Sequence, residues 1–403
     1  MSLIVQKFGG SSVKDAQRIR HVAGIIADTY RAGNDVIVVL SAQGDTTDDL
    51  IAKAEEISPN PSKREMDMLL STGEQISVAL CAMALETMGI PCISLTAWQV
   101  GIQSTSVHSD ARIKKIDSER IRAELDQHRV VLVTGFQGVD RSGDITTLGR
   151  GGSDTSAVAL AAAFKADRCQ IYTDVDGVYT TDPRIVPNAI KLQEITYDEM
   201  LELASQGAQV LHNRSVELAK KFHVNLEVLS SLEKKPGTIV KEVTKVEKTN
   251  IAGVAKDTSI ARIALIGLQH NPGVAFQVFD LLSKSNINVD VILQSIGRQD
   301  TKDITFTVHK KDMAEAEKIL NEHKEALKFD HLEEDDRIGK VSIVGAGLMS
   351  NSGVAAKMFE ALYEAGINIQ MINTSEIRVS VLLDEDDVNK AVKAVHAKFF
   401  DEV

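Results

Sequence analysis

Apolar and polar positions divide the chain into two halves with different rhythms. In the first half, short runs that are apolar on both faces alternate with longer amphipathic stretches. Leu3–Val5, Val36–Leu40, Cys92–Leu95, Val130–Thr134, Gln170–Thr173 and Leu226–Leu229 read as strands. Between them, Ala16–Tyr30, Ser71–Met88, Ser118–Gln127, Thr155–Phe164 and Tyr197–Ser205 carry a helical period. Continuously apolar strands belong to a parallel sheet covered by helices, so the pattern predicts an α/β layered domain running to about residue 240.

The second half repeats itself. Asn271-Pro272-Gly273-Val274-Ala275 returns as Asn351-Ser352-Gly353-Val354-Ala355, and Ile287-Asn288-Val289 returns as Ile367-Asn368-Ile369 at the same offset. Phe279 and Leu282 meet Phe359 and Leu362 in the same alignment. The first copy reads Ala261–Leu268, Val274–Ser283, Val289–Gln294, Ile304–Val308 and Met313–Leu320, in the order strand, helix, strand, strand, helix. The copies drift apart where residues 297–303 make a longer hairpin in the first. This is a tandem duplication of a βαββαβ unit. The boundaries expected are 1–240 for the first domain, 241–257 for a linker, and 258–330 and 331–403 for the two copies.

Composition narrows the function. The chain has 403 residues, a net charge of −12 and only 4% aromatics. That balance disfavours a nucleic-acid surface, which needs a basic excess and stacking platforms. Residues 1–20 lack a signal-peptide pattern, and no apolar run approaches the roughly 20 residues that span a bilayer. Cys81, Cys92 and Cys169 are scattered and read as small buried hydrophobes. A cytoplasmic enzyme is the expectation.

Several loops at strand ends carry chemistry. Lys7-Phe8-Gly9-Gly10-Ser11-Ser12 sets a cation beside two glycines ahead of a helix, which fits a phosphate turn or plain loop geometry equally. Leu148-Gly149-Arg150-Gly151-Gly152-Ser153-Asp154 is stronger. Ser153 or Asp154 could simply cap the next helix, but a guanidinium between glycines exceeds what a cap needs. Thr173–Arg184 is polar and turn-rich, with Tyr179 and Arg184 suited to a nucleotide; Gly177 stands too early for a calcium loop, and the closing glutamate is missing. Ser41–Asp48 follows a strand, and Thr72–Gln75 is expected to open a helix, so Thr47 and Glu74 lie at the edge where parallel sheets bind ligands. Val344-Gly345-Ala346-Gly347 lacks the last glycine of a dinucleotide fingerprint and reads as a strand-to-helix turn.

Taken together, Lys7–Ser12, Val38–Ala42, Leu69–Glu74, Thr147–Thr155 and Tyr172–Arg184 resemble, in order, the signature segments of the amino-acid kinase family, and more narrowly of its aspartate kinase branch. The second half resembles paired ACT domains. The resemblance implies a three-layer sandwich with a mainly parallel sheet, followed by two ferredoxin-like ACT units. It further implies ATP, Mg and aspartate as ligands, with side-chain phosphorylation of aspartate as the reaction. Lys7 and Asp154 would then be catalytic. Phe8, Gly9, Gly10, Ser11, Ser41, Ser153, Thr173, Asp174, Tyr179, Asp182 and Arg184 would join Lys7 at the nucleotide. Thr47, Glu74, Arg150, Gly151 and Gly152 would hold the acceptor amino acid. Gly273, Val274, Ala275, Asp290 and Gln294, with Gly353, Val354 and Asn368, would contact a lysine or threonine effector. A homo-oligomer through the ACT units is implied, with a shorter ACT-only subunit as a further partner. Glutamate, acetylglutamate or uridylate kinases share the loops, and a sensing protein with an inactive kinase domain is the alternative of another class.

Overall fold

The computed structural model describes residues 1–401 except 209, 243–250, 270, 296–300, 349–350 and 352. Part of the connecting stretch, part of the longer hairpin, and Ser352 of the second turn therefore lie outside the described residues. The chain forms two compact units. One comprises Met1–Tyr179, Ile190–Ser205 and Gln209–Glu247; the other comprises Thr180–Ala189, Gln206–Ala208 and Lys248–Val403.

In the first unit, β1 (Leu3–Phe8) leads through a single 3-10 turn to α1 (Ala16–Arg31) and β2 (Asp35–Leu40). Helices α2 (Thr46–Ile57) and α3 (Lys63–Thr87) precede β3 (Cys92–Leu95), β4 (Ile102–Ser104), β5 (Ile113–Ile116) and α4 (Glu119–Leu125). Then come β6 (Val130–Thr134), β7 (Gln137–Val139), β8 (Ile145–Thr147), α5 (Gly152–Phe164) and β9 (Arg168–Thr173). The unit closes with β10 (Glu194–Thr196), α6 (Tyr197–Ser205), α7 (Asn213–Phe222), β11 (Leu226–Ser230) and β12 (Thr238–Lys241). The main sheet has eight strands in the order β10-β12-β11-β9-β1-β2-β6-β3. All its pairings are parallel except β11 with β12. A smaller sheet, β5-β4-β7-β8, stands beside it.

Helix α1 forms because Asp15 caps it, accepting from the Arg18 amide at 2.9 Å, and because Ile19, Val22, Ala23, Ile26 and Ala27 make one apolar stripe. That stripe and the apolar face of α3 cover Val36, Val38, Leu40, Val130 and Leu132. Each such buried side chain stabilises the fold by about 1.5–3 kcal/mol relative to exposure. Helix α5 covers the other face of β1, β2 and β9 and is buried nearly all round, a position its alanines and serines permit.

Helix α3 begins earlier than the pattern suggested. Ser62 caps it, and its first turn, Lys63-Arg64-Glu65, is polar enough to hide the start. Thr72–Gln75 therefore lies in mid-helix and does not open one. Among the described helices α3 alone is long and apolar enough to cross a membrane, yet half of that stretch is buried within the protein. Helices α2 and α7 and the short strands of the smaller sheet were not anticipated; α7 is amphipathic but only ten residues long.

The second unit contains β13 (Gly253–Asp257), β14 (Ile260–Gln269), α8 (Val274–Lys284), β15 (Val289–Gln294), β16 (Thr301–His309), α9 (Met313–Glu322), α10 (Lys324–Leu327) and β17 (His331–Asp335). It continues with β18 (Ile338–Val344), α11 (Val354–Glu364), β19 (Met371–Thr374), β20 (Arg378–Asp384) and α12 (Val388–Phe400). Its two antiparallel sheets run β15-β16-β14-β17 and β13-β18-β20-β19. The expected boundaries change at two stretches. Residues 253–257, assigned to the linker, are a strand. Residues 331–335 complete the first copy and not the second. The second copy takes its fourth strand from β13, paired from Gly253↔Val344 to Asp257↔Lys340, so the first copy is inserted into the second. The edge of β18 away from β20 needs a backbone partner, and this upstream segment supplies it.

Residues 180–189, expected within the first domain, also belong here. The Val254 amide donates to the Thr180 carbonyl at 2.7 Å, Thr180 Oγ1 and His396 Nε2 are 2.9 Å apart, and Val186 packs in the second copy's core. Because Val254 is buried in that core, Val254→Asp should cost several kcal/mol there. Hydrogen exchange would show β18 and β20 losing protection first, ahead of β14 and β16; equal loss in both sheets would refute the inserted arrangement as an energetic unit.

Candidate active site

The site assembles from the alternation of β1. Gln6 and Phe8 turn toward α1, where Phe8 is fully buried and stacks on Tyr172 with ring centroids 4.5 Å apart. Lys7 therefore turns toward α5. Its Nζ lies 2.6 Å from Asp154 Oδ1, and both side chains are 12% exposed. Asp154 does not cap α5. Gly151, at φ +69°, holds that position, which leaves the carboxylate in the first turn to meet Lys7. Phe8 is thus a core residue facing away from Lys7 and does not line the mouth, a consequence of strand period that its place in the motif concealed.

The loops after β1 and β2 interlock. A Cβ on Gly10 would sit 2.8 Å from the Ala42 carbonyl, and the Gly44 amide donates to the Gly10 carbonyl at 3.0 Å, so close approach requires glycine here. Ser41 donates through its amide to the Phe8 carbonyl at 3.1 Å, while Ser11 is exposed. Ser12 Oγ reaches Ser231 Oγ at 2.8 Å. Ser153 is buried close to Gly135, where no side chain would fit.

Glu74 is 3% exposed and accepts from the Ala42 amide and from Gln137 Nε2, each at 3.1 Å. Burial pushes its carboxyl up to about 7, against the lowering effect of these hydrogen bonds. Thr47 stands half-buried in the first turn of α2. Arg150 is exposed between Gly149 and Gly151, both left-handed at φ +76° and +69°. The His212 side chain lies against Gly151, where a Cβ would come within 2.2 Å of its Cγ. Burial holds His212 below the ordinary imidazole range, and its buried Nδ1 has no hydrogen-bond partner among the described residues.

At the end of β9, Thr173 Oγ1 donates to Asp174 Oδ1 at 3.0 Å. The parallel pairing of Phe8 with Tyr172 sets this pair beside Gly9. Tyr179 donates to Asp176 at 2.8 Å; burial and that carboxylate push its phenol up to about 12. Asp182 and Arg184 form an ion pair of 2.8 Å on the second unit, and that guanidinium holds Asp182 below the usual carboxylate range. Among the described residues no group of three or more His, Cys, Asp or Glu could hold a metal ion.

Gly273 and Gly353 are N-caps of α8 and α11 with φ +92° and +108°. Open space surrounds both, so backbone conformation alone requires glycine. Val274, Ala275 and Val354 are half-buried behind them, and Gln294 and Asn368 are exposed. Asp290 pairs at 2.5 Å with Lys340, a lysine on β18 that is almost fully buried. Sequence reading passed over Gln137, His212, Arg214 and Lys340. Gln137 follows a strand end and could have been flagged on that ground; the others carry no local spacing signal.

An amino acid kinase family model matches residues 2–230, and an ACT domain model matches residues 263–323 and 341–399. The chain belongs to the amino acid kinase family. Within it the chain groups with the aspartokinases: it is 50% identical to the aspartokinase of Bacillus sp. (strain MGA3) over 400 residues, 99% of this chain and 97% of that one. Escherichia coli aspartokinase III in complex with aspartate and ADP, in an R-state, superimposes with a TM-score of 0.85 at 26% identity, covering 99% of this chain and 100% of that chain. The same enzyme with lysine and aspartate, in a T-state, gives 0.78 at 27% identity, covering 99% of each chain.

The raised pKa of Glu74 has a consequence for stability. Between its ordinary value of 4.5 and about 7 the folded state holds the proton that the unfolded chain has lost, so stability falls as pH rises through that window. Glu74→Gln should remove a penalty of roughly 1–3 kcal/mol above pH 7 and change little near pH 4. Melting temperatures measured across pH 4–8 would test this, and parallel curves for the two proteins would contradict it.

Proposed function

We propose that the chain phosphorylates the side-chain carboxylate of L-aspartate with ATP, and that amino acids binding the inserted ACT pair regulate it. The observation that carries the reading is the Lys7–Asp154 pair, 2.6 Å apart where β1 ends beside the start of α5. A cation and an anion paired in this way present a positive charge to phosphate and hold it in one place. Lys7, with the Gly9 and Gly10 amides, holds the β- and γ-phosphates, and the α5 N-terminus favours the same charge. Thr173, Asp174 and Tyr179 line the nucleoside.

Arg150 grips the α-carboxylate of the acceptor as a fork, and Glu74 meets its ammonium with Thr47 beside it. A nearby ammonium offsets the cost of ionising Glu74 in its buried site. No strong base is needed, because the attacking carboxylate is already ionised at neutral pH. Its oxygen forms a bond to the γ-phosphorus as the bridging P–O bond breaks. The electron pair leaves with ADP, and the product is the mixed anhydride, 4-phospho-L-aspartate. Magnesium, when bound with the nucleotide, neutralises phosphate charge. The lone carboxylate of Asp154 suits an ion held mostly by phosphates and water, since no larger ligand cluster occurs among the described residues.

Lysine, threonine or both serve as effectors, acting by binding one conformational state more tightly than another. Phe276, Ile292 and Leu293 of the first copy are exposed apolar residues, which supports assembly of the cytoplasmic enzyme through its ACT units.

Steady-state assays test the roles. Lys7→Ala should lower kcat by about 10²–10³-fold, and wild-type turnover in that protein would sink the assignment. Arg150→Ala should raise the aspartate KM roughly 10–100-fold with a smaller effect on kcat. Titrating the reaction with lysine and threonine, singly and together, tests regulation; indifference to every combination removes the sensing role and leaves the kinase intact.

A further inference from the structure

Asp67 is a carboxylate with no exposed surface, seven residues before Glu74 and on the same face of α3. It accepts from two separate chain segments. Thr147 donates its amide at 3.0 Å and its hydroxyl at 2.6 Å. Ser109 donates its amide at 3.0 and 3.1 Å to the two oxygens, and His108 Nδ1 lies 2.9 Å from Oδ2. Ser109 adopts φ +70°, a left-handed conformation that a serine holds only when its surroundings fix it. Its carbonyl would lie 3.1 Å from a Cβ on Gly149, the residue before Arg150.

Arg214, on α7, holds the opposite side of the same loop. It donates to the Leu148 carbonyl, to the Ala111 carbonyl at 2.9 Å and to Asp110 at 3.1 Å. The backbone from Thr147 to Gly151 is thus hydrogen-bonded at Thr147 by Asp67 and at Leu148 by Arg214, and closely approached at Gly149 by Ser109 and at Gly151 by His212. Arg150, in the middle, keeps its side chain in solvent.

We infer that Asp67 and Arg214 are positioning residues for acceptor recognition: they preset the Thr147–Gly151 backbone so that Arg150 meets the carboxylate of the acceptor without first ordering its own loop. Asp67, fully buried, acts only through that backbone. Preorganisation of this kind strengthens binding by removing an ordering cost. The inference rests on the reading of Arg150 given above.

Asp67→Asn turns one acceptor into an NH2 group facing the Thr147 and Ser109 amides. It should raise the aspartate KM about tenfold, leave the ATP KM within about twofold, and lower kcat by less than KM rises. Arg214→Gln should do the same. The discriminating experiment is the double variant with Arg150→Ala, where Asp67→Asn should add no further rise in aspartate KM. If Arg150→Ala raises KM and Asp67→Asn multiplies that rise, the positioning role is overturned while the role of Arg150 stands. If Arg150→Ala leaves aspartate KM unchanged, the role of Arg150 fails and the inference fails with it. Should Asp67→Asn not fold, Thr147→Val removes one donor at constant shape. A severalfold rise in aspartate KM, absent in the Arg150→Ala background, then supports the inference, and an unchanged KM refutes it.

Discussion

The two-residue period of β1 governs the first unit. Phe8 and Lys7 are neighbours in the chain, yet the pleat sends one into the apolar layer under α1 and the other toward α5. Each strand beside β1 is held in parallel register with it, so the ends of β2 and β9 arrive level with the lysine. A slip of one residue would bury a lysine among Val22, Ile26 and Val38 and expose a phenylalanine. The cost of that exchange fixes the register, and the register fixes the distance from Lys7 to Asp154. Stability and chemistry therefore depend on the same hydrogen-bonded ladder.

Helix α3 carries the second constraint. Its stripe of Asp67, Ser71 and Glu74 is polar inside a protein, which is costly unless each group finds partners. Asp67 finds donors on every side and becomes a fixed post for the loop that bears Arg150. Glu74 finds fewer, and burial pushes its carboxyl up. Asp67 is saturated by donors from the protein, and Glu74 keeps acceptor capacity beyond the Ala42 amide and Gln137.

In the second unit, inserting one copy into the other makes the second copy's sheet depend on a strand drawn from upstream of the first. Strand β13 must be laid against β18 although a complete copy separates them in sequence. The residues after Tyr179 share that core through Thr180 and Val186. Lys340 and Asp290 tie the second copy to the first at a position expected to contact effector.

The chain's own pattern determined the layered α/β architecture, the duplication, and the glycine-rich segments around Lys7 and Arg150. These follow from local periodicity and glycine spacing, which short segments encode by themselves. Helices with polar first turns, such as α3, gave no such signal, and their boundaries moved. Tertiary structure alone decided that Phe8 faces away from Lys7, that Asp154 pairs with that lysine and does not cap, and that β13 belongs to the second copy. It also decided that Asp67 and the His212–Arg214 segment converge on one loop from two distant places in the chain. Contacts of that kind depend on which elements pack together, a choice made by the burial of whole faces, and no local spacing records it.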